Sequence, residues 1–461
     1  MAAEIRLLWT PWPYRAGFCI TDDCDATTLD SLRAVYDFLR SVGLPTTRTV
    51  WAFEPEEPCG IPATPLSILR GVTLADPGLR ELSRDGFEIC LHGASAGNNR
   101  RDRTIAALDL IDREFGGSDT WICHAKNADN PYWEHRVAPG RPLQAALRLY
   151  SRHRCSGEDP NSPYYWGDVC RDRIRYVRLF RTRNPDTLAE NPSMPYFEAS
   201  KPFVRSWFTA TKRSFADCTT PHALARLKKH NGLTVLYQYL HRYYDPDTGK
   251  VEPGFRVDAE RLAADTGIWK ATVSTVMTRL RALQGVFGLW RGNRAWLVNT
   301  NQEPVPDLQL LVPARFDCPA PGGEVGRHGR VLRIHSLPAD SVFPLEFEVP
   351  VRFFGPRYTR VGAAGRASLD FGHGRMCANV GRSRWVLPGG VCVEPNRFLL
   401  KFKPGLEDLR PMSCAGSSEL LRLFLGQMRI VLGEHLRKGR SLSTDRFLGS
   451  KTIRLEDHAV W

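Results

Sequence analysis

The chain has 461 residues, 42% of them hydrophobic and 25% charged, with a formal net charge of +13. That length exceeds one ordinary core and predicts two or three domains, while the composition excludes a disordered or fibrous chain. No run of about 18 apolar residues occurs, which argues against a membrane-spanning helix.

The opening MAAEIRLLWTPWPYR lacks the basic start and apolar block of a secretory leader. Its twelve cysteines include no Cys-x-x-Cys pair. A cytoplasmic location with reduced thiols is expected, and a structural zinc finger is not. The positive excess is spread along the chain, which favours diffuse surface charge over a nucleic-acid-binding tail.

In chain order, residues 15–25 read as a buried strand ending in GFCITDDCD, and 28–42 as a helix capped by Thr28 and stopped by Gly43. RTVWAF (48–53) is a strand, 76–86 a short helix, FEICLHG (87–93) a strand, 101–117 a helix and TWICHAKN (120–127) a strand. The rhythm resumes with a strand at 173–181 and turns irregular over 191–208. A helix at 222–232 then leads into a strand at 233–244. Helices at 258–266 and 271–283 and a hairpin at 285–299 follow.

Strand–helix alternation at this pitch predicts parallel strands with crossover helices. A Pro-rich break at 301–313 marks the expected boundary between residues 1–300 and 301–461. Beyond it, short strands separated by Gly and Pro (343–354, 366–372, 384–395, 397–405) predict a β-rich domain closed by a helix at 417–438.

Each early strand ends in polar residues: Asp22 and Asp23, then His92, then His124 and Asn127. Sites in parallel α/β folds lie at the carboxyl ends of strands. Asp and His converging there can hold a divalent metal, and a neighbouring carboxylate can take a proton from water. Successive strand residues point opposite ways, so Asp22 and Asp23 share one site only where the strand curls into a loop. The aromatic loops NADNPYWEHR (127–136) and NSPYYWGDVC (161–170) offer faces for sugar rings, or simply wall the fold.

Ile20-Thr21-Asp22-Asp23 after an apolar strand, followed by Phe87-Glu88-Ile89-Cys90-Leu91-His92-Gly93, resembles the first two motifs of NodB-homology polysaccharide deacetylases. His124-Ala125-Lys126-Asn127, Tyr132-Trp133 and Trp166-Gly167-Asp168 are similar to segments of a divergent branch of that family. The resemblance covers roughly residues 10–280 and implies a distorted (β/α) barrel. It also implies a divalent metal, commonly zinc, and removal of acyl groups from N-acylated sugars.

Carried over by position, Asp22 would be the general base, and Asp23 and His92 metal ligands. The family's second histidine position is Ala96 here, which leaves Asn98 or His124 to complete the shell. The general-acid position aligns with Tyr239, with His241 two residues on, and Asp168 would orient a catalytic group. Asn127, Tyr132, Trp133, Tyr165 and Trp166 would contact the substrate, an acylated amino sugar or related small molecule.

Two alternatives stand beside this expectation. One is a catalytically weakened binding protein on the same fold. The other is a DNA-binding protein using the helix-turn-helix-like segment 261–285, with Lys270, Thr272, Ser274 and Thr275 facing bases. The second is disfavoured, because those residues offer little base readout.

Overall fold

A computed structural model describes residues 2–59, 77–149, 155–312, 325–328, 330–354 and 413–448, with short stretches at 358–360, 366–370, 375–379, 385–386 and 392–393. The chain forms two compact units, residues 17–277 with 415–461, and residues 1–16 with 278–414. The expected boundary at 301 falls inside the second of these, and the expected strand at 397–405 lies outside the described residues.

The first unit is a closed barrel of seven parallel strands. They are β1 (Ala16–Asp22), β2 (Thr47–Val50), β3 (Glu88–Leu91), β4 (Thr120–Trp121), β5 (Tyr176–Thr182), β6 (Trp207–Thr211) and β7 (Leu233–Gln238). Each pairs with the next, and β7 returns to β1 in register from Gly17 with Leu233 to Asp22 with Gln238. Every residue of β1 is buried, as a strand covered on one face by helices and on the other by the barrel interior must be.

Helix α1 (Leu29–Ser41) opens on a capping box between Thr28 and Ser31, and buries Leu32, Val35, Tyr36 and Leu39 as one stripe. Helix α2 (Pro77–Arg84) follows β2, and α3 (Arg101–Phe115) ends at Gly116 in the left-handed region, φ 75°. β6 lies inside the stretch 191–208 and just beyond it, where the sequence looked irregular. Its Trp207-Phe208-Thr209-Ala210-Thr211 is wholly buried and lacks the polar alternation that marks a surface strand.

Residues 253–284 form helix α4 (Pro253–Ala264), a short strand Ile268–Lys270 and helix α5 (Val273–Gln284). The chain turns at 266–267, and the short strand stands between that turn and α5. The Lys270 ammonium caps α4, donating to the carbonyls of Ala263 (3.0 Å) and Asp265 (2.9 Å). The first amides of α5 donate to Thr47 Oγ1 (2.8 Å) and Glu88 Oε2 (3.1 Å), at the starts of β2 and β3. The terminal helix α6 (Ser417–Leu448) packs on β5, where the Arg181 amide donates to Gln427 Oε1 at 2.8 Å.

The second unit is β-rich. One sheet orders Val325–His328, Val331–Leu337, Val305–Leu311, Ala3–Leu8 and Val351–Phe353. Another orders Ser341–Glu346, Arg294–Asn299, Val286–Arg291 and Tyr358–Arg360. The Pro-rich 301–313 stretch thus contains a central strand whose Leu308 and Leu310 are buried. Among the described residues, no helix is long and apolar enough to cross a membrane.

Candidate metal centre

Past Asp22, the last residue of β1, the chain leaves the strand and turns at 25–26. Asp22 turns outward beneath α1, accepting from Tyr36 Oη (2.8 Å), from the Leu240 amide (2.7 Å) and from the Arg48 guanidinium. Both its oxygens are occupied, and Asp22 and Arg48 are fully buried. Asp23 turns into the barrel, where Arg178 of β5 grips it with two nitrogens at 2.9 and 2.7 Å. Asp25, in the turn that follows, meets two histidines.

His92, at the end of β3, brings Nε2 to 3.4 Å from Asp25 Oδ2 and 3.8 Å from Asp23 Oδ2. His124, just after β4, brings Nε2 to 3.1 Å from Asp25 Oδ1. Ligand atoms of Asp25, His92 and His124 all lie within 4.8 Å of one another. Trp51, with its ring centre 5.9 Å from that of His124 and edge-on, walls one side.

The outer nitrogens fix both tautomers. His92 Nδ1 lies 2.7 Å from the Ile122 carbonyl, which can only accept, so Nδ1 carries the proton. His124 Nδ1 lies 2.9 Å from Asn127 Oδ1, while Asn127 Nδ2 donates to the Ser95 and Gly97 carbonyls (3.2 and 2.6 Å). Those carbonyls orient the Asn127 amide so that Oδ1 must accept from His124. With Nδ1 committed outward, each imidazole would present the lone pair of Nε2 to a metal once that nitrogen gives up its proton, the arrangement by which outer partners prepare histidines for a metal.

The donor set suits a divalent ion. Ligands about 2.0–2.2 Å from a tetrahedral zinc stand about 3.3–3.5 Å apart, close to the spacings seen here. Burial pushes the Asp25 carboxyl up, but His124 and His92 outweigh it and hold it well below the usual range. Burial pushes His124 down, while Asp25 and Asn127 pull it above its ordinary value.

Two glycines shape the rim. Gly93 sits at φ +129°, a conformation side chains rarely adopt, and turns the chain sharply after His92. A Cβ on Gly97 would lie 1.9 Å from the Glu57 carbonyl, so the 93–99 loop lies directly against its neighbour. Ala96, in that loop, fills an apolar cluster with Cys24, Trp51 and Cys59, and His124 arrives from the next strand instead.

The other residues singled out in the sequence fall as follows. Asn98 ties loops together, donating to the Pro58 carbonyl (2.7 Å) and accepting from the Ala128 amide (2.8 Å). Asn127 is fully buried and orients His124. Asp168, at the start of the 167–173 helix, is gripped by Arg101 at 2.7 and 2.8 Å, which lowers its pKa. Trp166 is buried against Trp121, with rings 4.4 Å apart, and Tyr132 is buried with its hydroxyl accepting from the Phe203 amide (3.2 Å). Trp133 and Tyr165 stay partly exposed. His241 follows β7 in a single turn of 3-10 helix. Its buried Nδ1 has no hydrogen-bond partner among the described residues, and burial pushes its pKa down against the pull of Asp22.

Asp25 is absent from the residues that the sequence singles out. It lies beyond the strand, in the turn at 25–26, where no sequence period places its side chain.

No protein-family model matches the sequence, and no curated protein matches it. Solved structures do resemble it. One from Mycobacterium smegmatis, described as a polysaccharide deacetylase, is 13% identical over 60% of this chain and 94% of its own, with a TM-score of 0.34. A second, from Pseudomonas aeruginosa PAO1 and described likewise, is 12% identical over 59% and 93%, at 0.32. Agd3, a carbohydrate deacetylase, is 11% identical over 73% and 66%, at 0.36. These structural neighbours are all described as deacetylases.

Proposed function

We propose that the chain is a metal-dependent hydrolase that removes an acyl group from an N-acylated amino sugar or a related amide. The observation that carries this is the Asp25–His92–His124 cluster, with both Nδ1 atoms committed outward and both Nε2 atoms converging. In this proposal those three residues hold the ion. A bound divalent metal, zinc by the nature of the donors, would polarise the acyl oxygen and acidify water.

Asp23 is the proposed acceptor of the water proton. Its carboxylate lies beside the cluster, 3.8 Å from His92 Nε2, and Arg178 fixes its direction. Asp22 takes no part in this scheme, because it is turned to Arg48, Tyr36 and the Leu240 amide and not to the histidines. His241, with its unpartnered Nδ1, is the proposed donor to the departing amine as the C–N bond breaks. Trp133 and Tyr165, partly exposed in the connection between β4 and β5, are the proposed faces for a pyranose ring.

Elemental analysis of the purified chain, paired with acetate release from N-acetylated sugars, tests the proposal. One equivalent of metal in the wild type, lost in Asp25→Asn and His124→Ala together with turnover, is expected. Wild type without metal after loading would sink the hydrolase reading. Metal bound without turnover on any acetylated sugar would favour a binding protein on this fold.

A further inference from the structure

A cavity of about 320 Å³ opens where the end of β5 meets α6. Arg181, Arg183 and Arg429 line it, with Thr182, Asn184 and Glu190. Arg181 is only 7% exposed and forms no ion pair among the described residues, and its Nη2 has no hydrogen-bond partner there. Glu190 is the one acid in the lining, and Arg422 already holds both its carboxylate and its backbone carbonyl.

A buried cation without a counter-charge is costly, and a guanidinium presents donors in a fixed fork that matches phosphate oxygens. Arg183 and Arg429 are exposed and can add donors at the mouth. The volume is about ten times the share of one water in the liquid, so there is room for more than a bare ion.

We propose that this cavity binds a tetrahedral oxyanion of the phosphate type, either free or as the phosphate ester of a small sugar. None of its lining residues belongs to the Asp25–His92–His124 cluster, so the proposal stands apart from the hydrolase reading.

The test is calorimetric titration and thermal melting of the full chain with inorganic phosphate, glucose 6-phosphate and glucose, at ionic strength held constant with sodium chloride. Saturable binding of phosphate, of the ester, or of both is expected, with none for glucose. Phosphate alone sufficing points to the free ion, whereas binding of the ester only points to a larger ligand carrying the group. Arg181→Met should abolish the anion-dependent rise in melting temperature. Should that variant fail to fold, Arg183→Ala/Arg429→Ala, both at exposed positions, should weaken binding about tenfold or more. Chelation of metal should leave binding unchanged. No saturable binding of either anion at millimolar concentration, or equal affinity in the double variant, overturns the proposal.

Discussion

Replacing Asp22 with Asn separates a structural carboxylate from a catalytic one. Arg48 is fully buried, and its Nε and Nη2 have no hydrogen-bond partner among the described residues, so Asp22 carries its charge compensation. Burial pushes the Arg48 pKa down, yet the Asp22 carboxylate outweighs it and raises it overall. The Asn amide keeps an acceptor for the Leu240 amide but leaves a buried cation unpaired, a change that costs about 3–5 kcal/mol. With a urea slope of about 1–3 kcal/mol per molar, the midpoint of the barrel transition should fall by roughly 1 M or more. Tryptophan fluorescence follows that transition through the buried Trp121, Trp166 and Trp207. Asp25→Asn, measured in chelator, leaves histidines that can lose their charge, so it should cost less stability than Asp22→Asn while eliminating metal retention. Asp22→Leu/Arg48→Met should recover most of the lost stability, because the unpaired charge leaves with the second change. An Asp22→Asn variant as stable as wild type yet unable to release acetate would refute the reasoning and return Asp22 to the role of base.

Two further outcomes follow from the same geometry. Asn127→Ala frees His124 to rotate without removing a ligand, so metal affinity measured by competition with a chelating dye should weaken about 10–100-fold rather than vanish. Asp129 is fully buried, and desolvation, partly offset by the Asn99 amide at 3.0 Å, pushes its pKa up to about 6. Its protonation therefore favours the folded state: that contribution is complete below the unfolded value of 3.8 and is lost as pH rises through about 6. Relative to Asp129→Asn, the wild type should lose about 2–2.5 kcal/mol of unfolding free energy between pH 4 and pH 7, read from denaturant curves at each pH.

The barrel was legible because its signals are local. Thr28 caps, Gly43 and Gly116 stop helices, and apolar stripes repeat at helical spacing, so α1 and α3 lie within two residues of expectation. β6 was hidden because a fully buried strand has no alternation to read. The pairing of Ala3–Leu8 with Val305–Leu311 was hidden for a different reason: nothing within either segment names a partner some 300 residues away. In the helix-turn-helix-like segment 261–285 the turn at 266–267 is present, but apolar spacing does not announce the short strand at 268–270 that follows it. At the candidate site, the sequence singled out His92 and His124 by their place at strand ends. The settings of Asp22 and Asp23 depend on Arg48 and Arg178, which sit on other strands and carry no motif of their own.

The bond from the Leu240 amide to Asp22 joins residues 218 apart in sequence. During synthesis, the first strand leaves the ribosome long before its closing partner exists. Until residues 233–241 arrive, β1 lacks its neighbour, Asp22 lacks one of its donors and His241 has no place beside the rim. The half-made chain thus carries two acidic residues, Asp22 and Asp23, whose arginine partners can be reached only as the barrel takes shape. The Asp25–His92–His124 cluster draws on the first four strands alone, so a chain cut short of β7 should lose the closed barrel and the setting of Asp22 rather than the cluster's residues.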